Sequence, residues 1–301
     1  MPGDAVDEWR SALASALPEA AIAVWPEPCA DPDYALVWKP PPELFVQARP
    51  AKAIFNLGAG VEALLAVPTL PDGVPVIRLE DAGMAEQMAE YVALAVLRAY
   101  RESEAYAAQQ DAGRWQQRVR LPKADFGIGI LGMGLLGCAV AAALRPFGFP
   151  LAGWSRERKS IPGVASFAGD TQLPVFLGRS RVLVCLLPAT PATRNLLDRS
   201  TLSQLPPGSH VVNVARGEIV VDADLIALLD AGCLAGATLD VFRTEPLPIE
   251  HPFWHHPRIV VTPHVSAVTL IVESIAQIAS KIRGLERGEP VSGAVDRRRG
   301  Y

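Results

Sequence analysis

The stretch Phe126-Gly-Ile-Gly-Ile-Leu-Gly-Met-Gly-Leu-Leu-Gly137 constrains this chain more than any other. An apolar run feeds straight into Gly132-x-Gly134-x-x-Gly137 and then into the alanine-rich segment Cys138 to Leu144. The pattern predicts a strand, a tight turn and a helix. In a dinucleotide-binding βαβ unit the first glycine permits the turn, the second lets backbone approach a pyrophosphate, and the third lets the helix pack closely on the strand. The helix N-terminus then turns unpaired N–H groups toward the phosphates. A glycine triplet alone is weak, because 24 glycines in 301 residues produce chance spacings. The change from strand-like to helix-like periodicity at the glycines argues against an ordinary core segment. Residues 126 to 144 carry no charge and are just long enough for a membrane span, but the five glycines 127, 129, 132, 134 and 137 make a poor one.

At 301 residues the chain exceeds one typical core, so two domains are expected. We read a substrate domain over 1–94, with 268–301 returning to it, and a dinucleotide-binding domain over 95–267. In the first part, helices at Val6–Leu17, Pro42–Ala48 and Val61–Ala66 alternate with strands at Ala21–Trp25, Tyr34–Trp38, Ala53–Leu57 and Val74–Leu79. One long helix is predicted from Met84 to about Gln110, followed by a connector over 111–124. Beyond the glycines come strands Leu151–Trp154, Val182–Leu187, His210–Val214, Ala235–Val241 and Arg258–Thr262, with a helix at Asp222–Ala231. Such βα alternation with apolar strands predicts a doubly wound parallel sheet of the Rossmann kind, covered on both faces. A last amphipathic helix, Leu270–Glu286, is assigned back to the first domain because chain termini tend to meet.

Composition narrows the partners. With 20% charged residues and a net charge of −4, nothing suggests a polyanion, and the cluster Arg297-Arg298-Arg299 is short. No nucleic-acid function is expected. Cys29, Cys138, Cys185 and Cys233 form no C-x-x-C pair, which argues against zinc and against a disulfide framework. A reducing cytosol fits best, and the acidic start Met1-Pro-Gly-Asp-Ala-Val-Asp-Glu lacks the basic and apolar regions of a signal peptide.

The choice of nicotinamide cofactor depends on the end of the second nucleotide-domain strand, where an acid would bind a ribose 2′-hydroxyl. Here the sequence is Trp154-Ser155-Arg156-Glu157-Arg158-Lys159. Ser155 stands at the acid's place, and Arg156 brings a guanidinium suited to a phosphate. NADPH is therefore expected over NADH. NADH stays as the alternative, since Glu157 becomes the ribose acid if the strand ends two residues later, and a solvated basic loop is the plain reading. Leu135 and Leu136 inside the fingerprint, Trp154, Lys159, the strand-end residues Leu187, Pro188 and Thr193, and Val214, Ala215 and Arg216 complete the expected cofactor contacts.

Reducing a 2-keto acid needs a hydride donor, a cation to polarise the keto acid and an acid to protonate the developing alkoxide. Arg216, in Asn213-Val-Ala-Arg-Gly217, follows a predicted strand at the sheet edge where ligands bind. Histidine suits the proton donor because its ordinary pKa lies near neutrality. Of five histidines, His264 in Thr262-Pro-His-Val also follows a strand, whereas His251, His255 and His256 sit in a surface-like loop that makes a poor metal site. Glu245, in Thr244-Glu-Pro246, is the carboxylate that would orient the imidazole, although a loop glutamate alone is usually just solvated.

These residues resemble the D-isomer-specific 2-hydroxyacid dehydrogenase family, through the glycine fingerprint, Asn213-Val-Ala-Arg-Gly217, Leu239-Asp-Val-Phe242, Thr244-Glu-Pro246 and Thr262-Pro-His264. More narrowly, Trp154-Ser-Arg156 with Lys159-Ser160, Leu57-Gly-Ala-Gly-Val61 and the ending Val295 to Tyr301 are similar to the bacterial glyoxylate/hydroxypyruvate reductase A group. The resemblance implies NADPH-dependent reduction of small 2-keto acids, with His264 as proton donor assisted by Glu245 and with Arg216 on the substrate. It also implies a carboxylate cradle at Gly58, Ala59 and Gly60, a pocket contact from Trp38, nicotinamide contacts from Asp240 and His264, and a homodimer. Family members begin with an apolar strand, whereas this chain enters a helix within a few residues. A flavodoxin-like substrate domain lacking its first strand is thus expected, unless another segment fills the place or the start lies downstream of the true one. A nucleotide-sensing binding module of the same fold, or a methyltransferase on a similar glycine-rich fold, are the rival readings.

Overall fold

The computed structural model describes residues 3–29 and 31–300, with side chains described from residue 6. Two compact units divide it: the chain up to Met84 together with Thr269 onward, and Ala85–Val268. The first unit opens with α1 (Gly3–Ala16), then β1 (Tyr34–Val37), α2 (Pro42–Gln47), β2 (Ala53–Asn56), α3 (Glu62–Leu65) and β3 (Val76–Arg78). The three strands are parallel in the order β1-β2-β3. Val37, Phe45, Ile54, Leu64 and Val76 form their core. The strand expected at Ala21–Trp25 joins no ladder, so among the described residues the first strand of this sheet is β1. Val24 and Trp25 are instead occupied locally, the Val24 amide by the Glu27 carboxylate and the Trp25 indole N–H by Gln47.

The second unit holds most of α4 (Met84–Arg101), then α5 (Ser103–Asp111), β4 (Ile128–Leu131), α6 (Leu135–Leu144), β5 (Leu151–Ser155), β6 (Val164–Ala168), α7 (Leu173–Leu177), β7 (Val182–Cys185), α8 (Arg199–Leu202), β8 (Ser209–Asn213), α9 (Asp222–Asp230), β9 (Leu234–Leu239) and β10 (Ile259–Val261). All seven strands are parallel, in the order β10-β9-β8-β7-β4-β5-β6. Side chains alternate across the sheet, as a period of two requires. Ile128, Ile130, Val182, Val184 and Val212 face one core with Val92 and Val96 of α4 and Val140 and Leu144 of α6. Leu131, Leu183, Cys185 and Val211 face another with Phe176 of α7, Leu202 of α8 and Leu225 and Leu229 of α9. Both faces are covered, which is why β4 and β7 read as unbroken apolar runs.

A second expectation needs correction. The single helix from Met84 to Gln110 is two, broken where Glu102 takes the left-handed value φ 54. Two ion pairs brace that corner, Arg98 with Glu104 and Arg118 with Glu102 (both 2.8 Å). The half-exposed edge strand β6 and the short helices α7 and α8 were not expected.

The chain then enters α10 (Ile271–Glu286), which packs on α1 in the first unit. Its Lys281, nearly buried, is met by Glu80 at 3.1 Å. The tail beyond it joins β3, with Arg78 N donating to Gly293 O and Val295 N to Val76 O. Arg297 of the basic cluster is used internally, capping the carbonyls of Pro71 and Val74. Tyr301 lies outside the described residues. Among the described residues no helix is long and apolar enough to cross a membrane.

Candidate active site

A parallel sheet collects every strand's carboxyl end on one edge, and the chain leaves β4 toward β5 on one side but leaves the neighbouring β7 toward β8 on the other. That reversal makes a crevice where ligands bind in open α/β sheets. The fingerprint occupies it. Gly132 takes φ +102, and a Cβ there would press on the Leu186 carbonyl oxygen at 2.7 Å. A Cβ on Gly137 would sit 2.0 Å from the Gly132 carbonyl oxygen, so α6 packs on the turn as only glycine allows. At Gly134 a Cβ would meet nothing within 4 Å. Space above that backbone is open, as a pyrophosphate requires. Gly134 is also the N-cap of α6 and provides no side-chain cap, with exposed Leu135 and half-buried Leu136 beginning the helix.

β5 ends at Ser155, so Ser155 itself holds the position of a ribose acid and Glu157 lies two residues beyond, exposed. The Ser155 hydroxyl donates to the Glu157 carbonyl at 2.7 Å, folding the loop back. Trp154 is buried and donates its indole N–H to Gly169. Lys159 reaches the fingerprint, donating to the Met133 carbonyl at 2.6 Å, and Arg156, three residues before it, is exposed.

After β7, Leu187 is buried and Thr193 closes its loop by donating to the Pro188 carbonyl at 2.6 Å. After β8, Val214 and Ala215 are buried and Arg216 is half-buried. Buried Asn213 shapes this loop, donating to the Arg216 carbonyl and accepting from the Ala215 amide. Gly217 packs against the backbone of Phe242 and Arg243, where a Cβ would fall 1.9 Å from the Phe242 carbonyl carbon. The loop bearing Arg216 therefore touches the loop that leads to Glu245.

Across 19 residues of sequence, His264 Nδ1 and Glu245 Oε2 meet at 2.8 Å. The other carboxylate oxygen of Glu245 accepts the Phe242 amide at 3.0 Å, which fixes the glutamate on both sides. His264 remains well exposed, its side chain 42% accessible against 28% for Glu245. The imidazole is thus oriented through Nδ1 and presents Nε2 outward. Asp240, at the end of β9, is wholly buried, its carboxylate accepting from the Thr262 hydroxyl and the Val265 and Ser266 amides. His251, His255 and His256 stand apart on a short 3-10 turn, His251 and His256 near Asp222 and Asp230. No group of three or more metal-ligating side chains occurs among the described residues.

In the first unit, Trp38 lies directly over Gly58, where a Cβ would be 2.4 Å from its ring. The glycine loop is shaped by a residue that sequence reasoning passed over. Buried Asn56 donates to the carbonyls of Gly58 (2.9 Å) and Gly60 (2.8 Å). A polar residue closing an otherwise apolar strand immediately before glycines was the available signal.

The sequence model of the D-isomer specific 2-hydroxyacid dehydrogenase, NAD binding domain, matches residues 93–266. A glyoxylate/hydroxypyruvate reductase A from Escherichia fergusonii is 49% identical over 299 residues, spanning 97% of this chain and 96% of that protein. A D-isomer specific 2-hydroxyacid dehydrogenase from Xanthobacter autotrophicus Py2, solved in complex with NADPH and MES, aligns with TM-score 0.92 and 44% identity over 98% of this chain and 96% of that one. An NADPH-dependent glyoxylate/hydroxypyruvate reductase from Sinorhizobium meliloti, solved with NADP and sulfate, aligns with TM-score 0.91 and 37% identity over the same shares. With its fingerprint, its paired His264 and Glu245 and this similarity along nearly its whole length, the chain belongs to the D-isomer specific 2-hydroxyacid dehydrogenase family.

Proposed function

We propose that this protein is an NADPH-dependent reductase of small 2-keto acids of the glyoxylate and hydroxypyruvate class. The observation that carries the reading is the His264–Glu245 pair, held at the strand edge that also bears the fingerprint and Arg216. A bound nicotinamide supplies the hydride. The chain's residues do the rest. Glu245 fixes the imidazole through Nδ1, which leaves Nε2 of His264 to deliver a proton to the developing alkoxide. Arg216 brings the cation that holds and polarises the keto acid. Backbone around Gly58, Ala59 and Gly60, shaped by Asn56, suits a carboxylate, and Trp38 would border it.

The residues fit the cofactor. Open space above Gly134 and the first turn of α6 at Leu135, Leu136 and Gly137 would hold the pyrophosphate. Ser155, Arg156 and Lys159 would grip a 2′-phosphate, with Trp154 beneath them. Leu187, Pro188, Thr193, Val214 and Ala215 would line the crevice, largely through backbone, whereas Asp240, buried with its carboxylate taken up by Thr262, Val265 and Ser266, would act on the nicotinamide only through the His264 turn that it holds. This favours NADPH, with NADH as the weaker alternative. The four cysteines are free thiols, which suits a reducing cytosol. A homodimer is the proposed assembly.

The test is a panel of small 2-keto acids assayed with both reduced cofactors. NADPH oxidation with glyoxylate or hydroxypyruvate is expected, and a chain that binds NADPH but turns over nothing would be a nucleotide-sensing module instead. His264→Ala should lower turnover by about 10²- to 10⁴-fold while NADPH affinity is kept; unchanged turnover would remove the histidine from the reaction. Arg156→Ala should weaken NADPH selectively, and an equal loss for NADH would reject the phosphate grip.

A further inference from the structure

The turn that presents His264 is anchored by a hydrogen-bond chain reaching outside the loops that carry the reacting groups. His264 has φ 56, a left-handed backbone that side-chain-bearing residues seldom adopt and that must be held in place. Its amide donates to the carbonyl oxygens of Asp240 at 2.9 Å and Thr262 at 3.1 Å. Just past it, the Asp240 carboxylate accepts the Val265 amide at 2.9 Å and the Ser266 amide at 2.8 Å. The same carboxylate accepts the Thr262 hydroxyl at 2.6 Å. A hydroxyl has one proton to give, and Thr262 gives it to Asp240. The 2.6 Å contact between the Tyr91 phenol and Thr262 Oγ1 must therefore have Tyr91 as its donor. Donation runs in one direction, from Tyr91 to Thr262 to Asp240. Burial pushes the Tyr91 phenol up from its ordinary value, which keeps that proton in place.

We infer that Tyr91 and Thr262 are positioning residues for His264. They hold the Asp240 carboxylate in the orientation that pins the Val265 and Ser266 amides, and so maintain the left-handed turn that aims the imidazole. Tyr91 sits on α4, whose Met88, Val92 and Val96 are packed in the sheet's core, so the chain ties the turn to a fixed element. Neither residue touches the reacting atoms in this scheme. The inference rests on His264 as proton donor, yet it acts on the turn and can be read without turnover.

The experiment follows amide hydrogen exchange at Val265 and Ser266 together with steady-state kinetics in Thr262→Val, Thr262→Ser, Tyr91→Phe and the Tyr91→Phe/Thr262→Val double variant. Thr262→Val should speed exchange at both amides by about tenfold or more. Its kcat should fall about 10- to 100-fold with KM for NADPH within about twofold, the split expected when orientation rather than binding is lost. Thr262→Ser keeps the hydroxyl and should restore both readouts. Tyr91→Phe should move both in the same direction by less, and the double variant should be no worse than Thr262→Val alone, because a chain broken at its middle gains nothing from its end. Wild-type exchange in Thr262→Val, failure of Thr262→Ser to restore, or additive effects in the double variant would overturn the inference. If Thr262→Val does not fold, unchanged exchange in Tyr91→Phe overturns it and faster exchange supports it. A wild-type protein that reduces neither keto acid would sink the proposed function, while the exchange series would still decide the positioning chain.

Discussion

The three fingerprint glycines occupy one motif yet answer to different forces, and substitution separates them. Gly134 has φ −77 and ψ −162, which alanine tolerates, and open space where its Cβ would go. Gly134→Ala should therefore melt within about 2 °C of wild type while NADPH affinity drops about tenfold or more, a loss of about 1.4 kcal/mol. Gly137→Ala drives a methyl group against the Gly132 carbonyl and should cost about 1 to 3 kcal/mol of stability. Thermal melts and a fluorescence titration of NADPH distinguish the two; unchanged NADPH affinity in Gly134→Ala would mean that the open space above Gly134 is not where the cofactor lies. Such residues were legible because each glycine carries one backbone demand that spacing alone reveals. Arg216, Glu245 and His264 were legible only jointly, since each follows a strand and strands of a parallel sheet end on one edge. Asn56, Asn213, Tyr91 and Thr262 were not, because an ordinary polar residue acquires its role from a partner that sequence does not place. Tyr91 and Thr262 are 171 residues apart.

At the level of elements, the pairing of β8 with β9 buries a titratable group. The His210 ring packs over Gly236, bonds Thr238 at 2.9 Å, and is pushed by burial down to about 4. An unfolded chain protonates the same imidazole below its ordinary 6.5, so between those values the unfolded state binds more protons and stability falls as pH falls. The contribution is complete above about 6.5 and reaches a loss of about 3 kcal/mol near pH 4 at roughly 1.4 kcal/mol per unit. Urea melts at pH 7 and pH 4.5 should show wild type losing about 2 to 3 kcal/mol more than His210→Gln. Equal losses would exclude His210 as a source of acid sensitivity. A central strand such as β7 was readable because both faces are covered and every position of Val-Leu-Val-Cys is apolar. β6 was not, since an edge strand needs only one buried face and Val-Ala-Ser-Phe-Ala offers few β-branched residues. The break at Glu102 was equally hidden. Helix propensity continues through that corner, and ion pairs from Arg98 and Arg118 make it, in the manner of tertiary contacts overriding a local preference.

Within the unit Ala85–Val268, the connector before β4 leaves a run of apolar side chains exposed. Residues 111–125 are exposed without exception, yet they include Trp115 at 101% and Val119 at 98% accessibility, with Leu121 and Tyr106 also exposed nearby. An indole left entirely in water forfeits about 2 kcal/mol or more of burial, and apolar groups concentrated on one segment mark contact surfaces more often than isolated ones do. Two-fold pairing with a second copy is the commonest way such a patch is covered, because the same segment then serves both partners. Under the proposed homodimer, Trp115→Glu together with Val119→Glu should convert a two-chain species into a single-chain one in sedimentation velocity. Thermal stability of each unit should change little, since neither residue contributes to the cores of the sheet. A double variant that still sediments as two chains would move the interface elsewhere, and a wild-type protein that sediments as one chain at micromolar concentration would remove the dimer altogether.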